Sequence, residues 1–151
     1  GHPAREHLLR DAAVIAKFIP LKTTAASPQE ALAERESIVR QMPWPLDVVV
    51  LGMGEDGHTA SLFPGADHLV TALDVTLPNL LAAIDPPHAD HRRMSLTLRA
   101  LLQARCLVLL IQNPCKRAVY EQARATADIT KLPIAAVLNQ RDVSVDVFWS
   151  P

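Results

Sequence analysis

The residue types best suited to chemistry lie together in one run, Leu51-Gly52-Met53-Gly54-Glu55-Asp56-Gly57-His58-Thr59-Ala60-Ser61-Leu62-Phe63-Pro64-Gly65. Glycines let a backbone turn sharply, and here they bracket an acid and a histidine two residues apart, Asp56 and His58. Imidazole titrates near neutrality, so His58 can take a proton from water; one positioned general base contributes roughly 10²- to 10⁴-fold to a rate. Asp56 is placed to orient the ring and stabilise its charged form. Read literally, Gly52, Gly54 and Gly57 also fit G-x-G-x-x-G, the fingerprint of a dinucleotide loop. That reading fails on two counts. A Rossmann crossover needs a helix of about ten residues after the glycines, whereas Pro64-Gly65 arrives within seven residues of Gly57. Glu55 and Asp56 would also set two negative charges against a pyrophosphate.

Other chemistries find less support. There is no H-E-x-x-H, and His68, His88 and His91 lack metal-ligand spacing, so no metal is expected. There is no G-x-S-x-G elbow either, which leaves Ser61 to cap or pack. The two cysteines, Cys106 and Cys115, do not form Cys-x-x-Cys, and Cys106 reads as a core thiol within an apolar run. With 15 Lys plus Arg against 16 Asp plus Glu, the formal charge of -1 supplies no field to draw the chain to nucleic acid or an anionic membrane. Any anion site must be local. Lys116 suits one, because it falls in the first turn of a helix after an apolar strand, where backbone N–H groups and the helix dipole favour an anion by ~0.3 to 1 kcal/mol.

The elements that must position these residues follow from periodicity. Leu8, Ala12, Ile15 and Ile19 share a helical face, predicting an amphipathic helix over Ala4 to Ile19 that ends at Pro20. Ser27-Pro28-Gln29-Glu30 carries a capping Ser, a Pro at the first helical position and a Glu three residues after the Ser, so a helix is expected from Pro28 to about Met42. Leu46 to Leu51 is a β-branched apolar run that does not alternate, the pattern of a strand buried on both faces, and it delivers the chain directly to Gly52. Cys106 to Ile111 is a second such run, followed by a helix from Cys115 to about Thr126. Leu80 to Ile84, Met94 to Leu98 and Val143 to Trp149 read as further strands, with a short helix over Leu98 to Ala104 and an exposed loop over Asp85 to His91. The order is α/β throughout. No run reaches the ~18 apolar residues of a membrane span, and the amino end is too polar for a signal peptide, so a cytoplasmic protein is expected. The absence of a linker or repeat makes residues 1–151 one domain, and 49% hydrophobic residues are enough for a core.

Leu51 to Gly65 resembles the defining motif of the 6-phosphogluconolactonases, a family related to the glucosamine-6-phosphate deaminases. The resemblance continues in Arg93-Met94-Ser95-Leu96-Thr97, similar to the family's Arg-Ile-Thr-Leu-Thr stretch, and in Asn113-Pro114-Cys115-Lys116, similar to its Gly-x-x-Lys turn. It implies a three-layer α/β/α fold with a mostly parallel, Rossmann-like sheet. It implies hydrolysis of 6-phosphoglucono-lactone in the oxidative pentose phosphate pathway without metal or organic cofactor: His58 activates water, Asp56 supports it, Gly52, Gly54 and Gly57 shape the substrate loop, and Arg93 with Lys116 bind the 6-phosphate. The expected partner is a small sugar-phosphate lactone. A glycine-loop N–H is expected to stabilise the oxyanion. Asn113 departs from the family's Gly; if the position needs positive φ, Asn is suited to it. The family's Ser-Gly-Gly-Ser-Thr-Pro-like phosphate loop and Asp-Glu-Arg segment do not occur here, so the resemblance implies that about the first third of a family member, with the sheet's first strands, lies outside this chain. An unpaired edge and self-association would follow. Two alternatives stand: a glucosamine-6-phosphate isomerase/deaminase, disfavoured because Leu62-Phe63-Pro64-Gly65 offers no carboxylate shortly after the His, and a non-catalytic sugar-phosphate-binding fragment.

Overall fold

A computed structural model describes residues 6–87 and 91–151. Helix α1, Pro28–Arg40, starts as its sequence requires: the Ser27 hydroxyl accepts the Glu30 N–H at 3.4 Å, and Pro28 stands where no N–H is needed. Strand β1, Leu46–Gly52, follows, then the short helix α2, Leu69–Leu73. Strands β2, Leu81–Ile84, and β3, Arg93–Leu96, form an antiparallel pair. Helix α3, Leu98–Leu102, capped by Thr97, leads into β4, Ala104–Gln112. Helix α4, Asn113–Ala125, the buried helix α5, Ile134–Leu138, and β5, Val145–Ser150, complete the order.

The main sheet runs β1-β4-β5 with both pairings parallel, so the mostly parallel α/β reading is borne out. Its register sets Gly52 opposite Leu110. The carboxyl ends of β1 and β4 therefore lie side by side, which brings the glycine loop next to the first turn of α4. In parallel α/β sheets that edge is where ligands bind. One sheet face supplies the core: Val49, Leu51, Leu107, Leu109 and Ile111 pack with Leu69 and Leu73 of α2, Leu98 and Leu101 of α3, and Ile134, Val137 and Leu138 of α5. Each such Leu or Ile contributes about 1.5 to 3 kcal/mol by leaving water. The small sheet packs on α1, where the Glu36 carboxylate accepts the N–H groups of Leu80 and Leu81 at 2.9 and 2.7 Å and also pairs with Arg40.

Three sequence expectations change. The β1 run is not buried on both faces: Val48 and Val50 are 55% and 62% exposed, and across the sheet Leu110 and Phe148 are exposed too. No described helix covers that face, so strands with the pattern of central strands sit in a sheet with one open side. The helix expected over Ala4 to Ile19 is also absent as a unit; Ala4 lies outside the described residues, and beyond it Arg10 is extended, Asp11 has φ 51° and Asp11–Ile15 form a 3₁₀ helix. Leu8 and Ile15 remain exposed. An amphipathic helix this short gains its stability from packing its apolar stripe, and among the described residues only Ile19 of this stripe is even half-buried. Cys106, finally, is half-buried rather than a core thiol, because it shares the parity of Val48, its partner across the sheet. The loop over Asp85 to His91 lies partly outside the described residues; Asp85 itself bridges to Asp67.

Candidate active site

Strand β1 ends at Gly52, and the next residues fold into a tight loop held by its own hydrogen bonds. Gly54 N–H donates to the His58 carbonyl at 2.9 Å, Gly57 N–H to the Gly54 carbonyl at 3.1 Å, and the fully buried Thr59 hydroxyl to the Gly52 carbonyl at 2.9 Å. Gly57, at φ +80°, makes the turn in a conformation that side chains resist, and its carbonyl accepts the Ile134 N–H at 3.0 Å, tying the loop to α5. Gly54 is required for a different reason. A Cβ there would overlap the His58 ring and come within 2.5 Å of Asp56 Oδ1.

Within this loop Asp56 and His58 are paired. Asp56 Oδ1 lies 2.6 Å from His58 Nδ1 and accepts the His58 backbone N–H at 3.1 Å. Burial on its own would raise the Asp56 carboxyl, but the hydrogen bonds from the His58 backbone and ring, with the charge of that ring, hold it below the ordinary carboxylate range. An ionised Asp56 places the ring proton on Nδ1 and leaves Nε2 with its lone pair, the arrangement of a general base. The Phe63 ring stacks on the imidazole, with centroids 4.2 Å apart and planes 28° from parallel.

A cavity of about 540 Å³ opens beside the pair, lined among others by Gly52, Gly54, His58, Ser61, Ser95 and Lys116. Lys116 reaches it from α4. The turn before it uses Asn113 at φ 66°, as the departure from Gly anticipated, and the Asn113 side-chain oxygen accepts the Lys116 N–H at 2.9 Å, capping the first turn. The Trp149 indole N–H donates to the Asn113 carbonyl at 3.2 Å from β5. Lys116 forms no ion pair with another described residue, leaving its charge for a ligand. Arg93 lies in an adjoining cavity of about 570 Å³ with Lys22, His91 and Arg92, and Ser61 and Met94 line both spaces.

The structure thus gathers His58, Gly54, Gly52 and Lys116 around one space, with Asp56 paired to His58, Gly57 serving the loop's turn and Arg93 in the neighbouring space. The oxyanion expectation narrows. The N–H groups of Gly54, Gly57 and His58 are all used inside the loop, so these three are not free to donate to the oxyanion. Sequence reasoning missed Phe63, Lys22 and the Ser61–Ser95 contact, in which the Ser61 N–H donates to Ser95 Oγ at 3.1 Å and ties the loop to β3. Phe63 carried a readable signal, an aromatic five residues past the candidate base in the same tight segment. Lys22 and Ser95 carried none, since only tertiary packing brings them close. No group of three or more His, Cys, Asp or Glu suited to a metal occurs among the described residues.

Comparison with known proteins bears on the family and the fold. Residues 2–149 match the family described as glucosamine-6-phosphate isomerases/6-phosphogluconolactonase. The chain is 41% identical over 145 residues to a 6-phosphogluconolactonase of Mesorhizobium japonicum, covering 96% of this chain and 60% of that protein. It is 39% identical to one from Rhizobium meliloti, covering 97% of this chain and 63% of that protein. A crystal structure of a 6-phosphogluconolactonase from Shewanella baltica superposes with a TM-score of 0.94 at 41% identity, over 98% of this chain and 63% of that one. The chain spans about three fifths of the length of these relatives. By sequence match and by fold, it belongs to the glucosamine-6-phosphate isomerase/6-phosphogluconolactonase family.

Proposed function

We propose that the chain carries the water-activating site of a 6-phosphogluconolactonase, hydrolysing 6-phospho-D-glucono-1,5-lactone to 6-phospho-D-gluconate in the cytoplasm. The observation that carries this is the 2.6 Å pairing of Asp56 with His58 Nδ1 beside a cavity that Lys116 also lines. His58 Nε2 takes a proton from water, and the hydroxide formed adds to the lactone carbonyl. The tetrahedral intermediate collapses with cleavage of the bond to the ring oxygen, and the proton on Nε2 passes to that leaving oxygen. Asp56 stabilises the transient imidazolium. Lys116 binds the phosphate, with Arg93 acting from the adjoining space. The reaction uses no metal and no organic cofactor.

The deaminase reading is the second, since the family contains both activities. Phe63, not a carboxylate, lies against His58, which favours the hydrolase. Acid release at constant pH from 6-phosphogluconolactone, above its spontaneous opening, tests the first reading, and ammonia release from glucosamine 6-phosphate tests the second. Acceleration of the first reaction alone is expected. Ammonia release without lactone hydrolysis would reverse the assignment, and phosphate-ligand binding without either would leave a binding fragment.

A further inference from the structure

We propose that Phe63 is a positioning residue for His58, an inference that rests on reading His58 as the general base. The Asp56 contact fixes one ring atom, Nδ1, and leaves the plane of the imidazole able to tilt within the reach of that bond. The charge-assisted bond to Asp56 decides between the two half-turn orientations, but terminal side-chain torsions of this kind are broad, so the tilt of the ring plane stays soft. A tilt of that plane displaces Nε2 from its line to the cavity and weakens the contact with Asp56. The His58 side chain is 31% exposed, so bulk packing does not immobilise it. Two neighbours supply what the hydrogen bond lacks. Gly54 leaves the ring room that any Cβ would fill, and the Phe63 ring covers one imidazole face at 4.2 Å and 28°. Phe63 is itself anchored, packed at the margin of the main core and followed by Pro64, with the Phe63 carbonyl accepting the Ala66 N–H at 3.2 Å. A stacked aromatic pair shifts a ring equilibrium by about two- to tenfold. Phe63 therefore holds Nε2 toward the substrate space without touching substrate.

The test compares Phe63→Leu, which keeps apolar bulk and removes the stacking face, with Phe63→Tyr, which restores it. Ring-nitrogen NMR of the 151-residue chain reads His58 directly and needs no turnover. The unsubstituted chain should show Nδ1 protonated; Phe63→Leu should move both ring nitrogens toward a tautomer average, and Phe63→Tyr should return them. In the lactone assay Phe63→Leu should lower kcat by about tenfold with KM little changed, because misorientation acts on the reacting group and not on phosphate binding. Circular dichroism checks that the variants fold, and Phe63→Ile replaces the Leu variant if it does not. Unchanged ring-nitrogen signals in a folded Phe63→Leu chain would overturn the proposal while leaving the lactonase reading intact. Altered signals with no lactone hydrolysis in any form would support the positioning role and sink the lactonase reading instead.

Discussion

Replacing Gly54 by Ala should lower turnover about 10²-fold while leaving the protein folded. The added methyl would stand within 2.5 Å of Asp56 Oδ1 and overlap the His58 ring, where ordinary van der Waals contact begins at 3.4 Å. The pair must therefore retreat by about 1 Å, and a displacement of that size at a reacting group can cost about 10²-fold in rate. Backbone strain does not confuse the result, because Gly54 is not among the residues with positive φ. Its N–H can still reach the His58 carbonyl, so the thermal midpoint should fall by only a few degrees. The assay is proton release from 6-phosphogluconolactone at constant pH, corrected for spontaneous opening, alongside a melting curve and binding of 6-phosphogluconate. Retained product binding with turnover reduced about 10²-fold is expected. A folded Gly54→Ala variant with normal turnover would refute the reasoning, since it would show that the close approach of His58 and Asp56 to this glycine does not matter.

Three further outcomes follow from the same geometry. Lys116→Ala should weaken binding of 6-phosphogluconate and of the phosphorylated lactone while changing hydrolysis of unphosphorylated gluconolactone much less; equal losses would contradict a phosphate role. Asp56 is held below the ordinary carboxylate range, so its contribution to stability is present above that range and is lost as pH falls through the depressed folded value; the acid limb of the melting temperature should be shallower in Asp56→Asn, and an identical limb would show that the contact contributes nothing. The open sheet face with Val50 and Phe148 exposed, together with the β1 edge unpaired among described residues, should make the chain self-associate as concentration rises. Sedimentation should show Val50→Lys with Phe148→Lys shifting it toward monomer, and unchanged association would place the contact elsewhere.

The sequence made the parallel strands, α1, α4 and the glycine loop legible because each announces itself locally: β-branched runs, Ser27-Pro28 as a helix start, Gly52 directly after a strand. Of the three five-residue α-helices described, α2 and α5 escaped notice. They are too short to show periodicity, and α5 is buried all round, so nothing in Ile134-Ala135-Ala136-Val137-Leu138 separates a helix from a strand. Burial on both faces was read from Val48 and Val50 because composition records what a strand is suited to contact, not what the described residues place against it. For the site, types and spacing identified His58, Asp56 and Lys116. The roles of Phe63 and of Gly54's missing side chain emerged only from distances, since stacking and close approach leave no periodic mark.

Whether His58 is the base is read from the rate of 6-phosphogluconolactone hydrolysis by the chain with His58 intact and with His58→Ala, each corrected for spontaneous opening. His58 is partly exposed in a loop, so the substitution should leave the fold unchanged. The intact chain should accelerate hydrolysis, and His58→Ala should lose that acceleration, about 10²-fold or more where the intact rate allows it to be read. Turnover by a folded His58→Ala chain equal to that of the intact chain would contradict the assignment of His58 as the base.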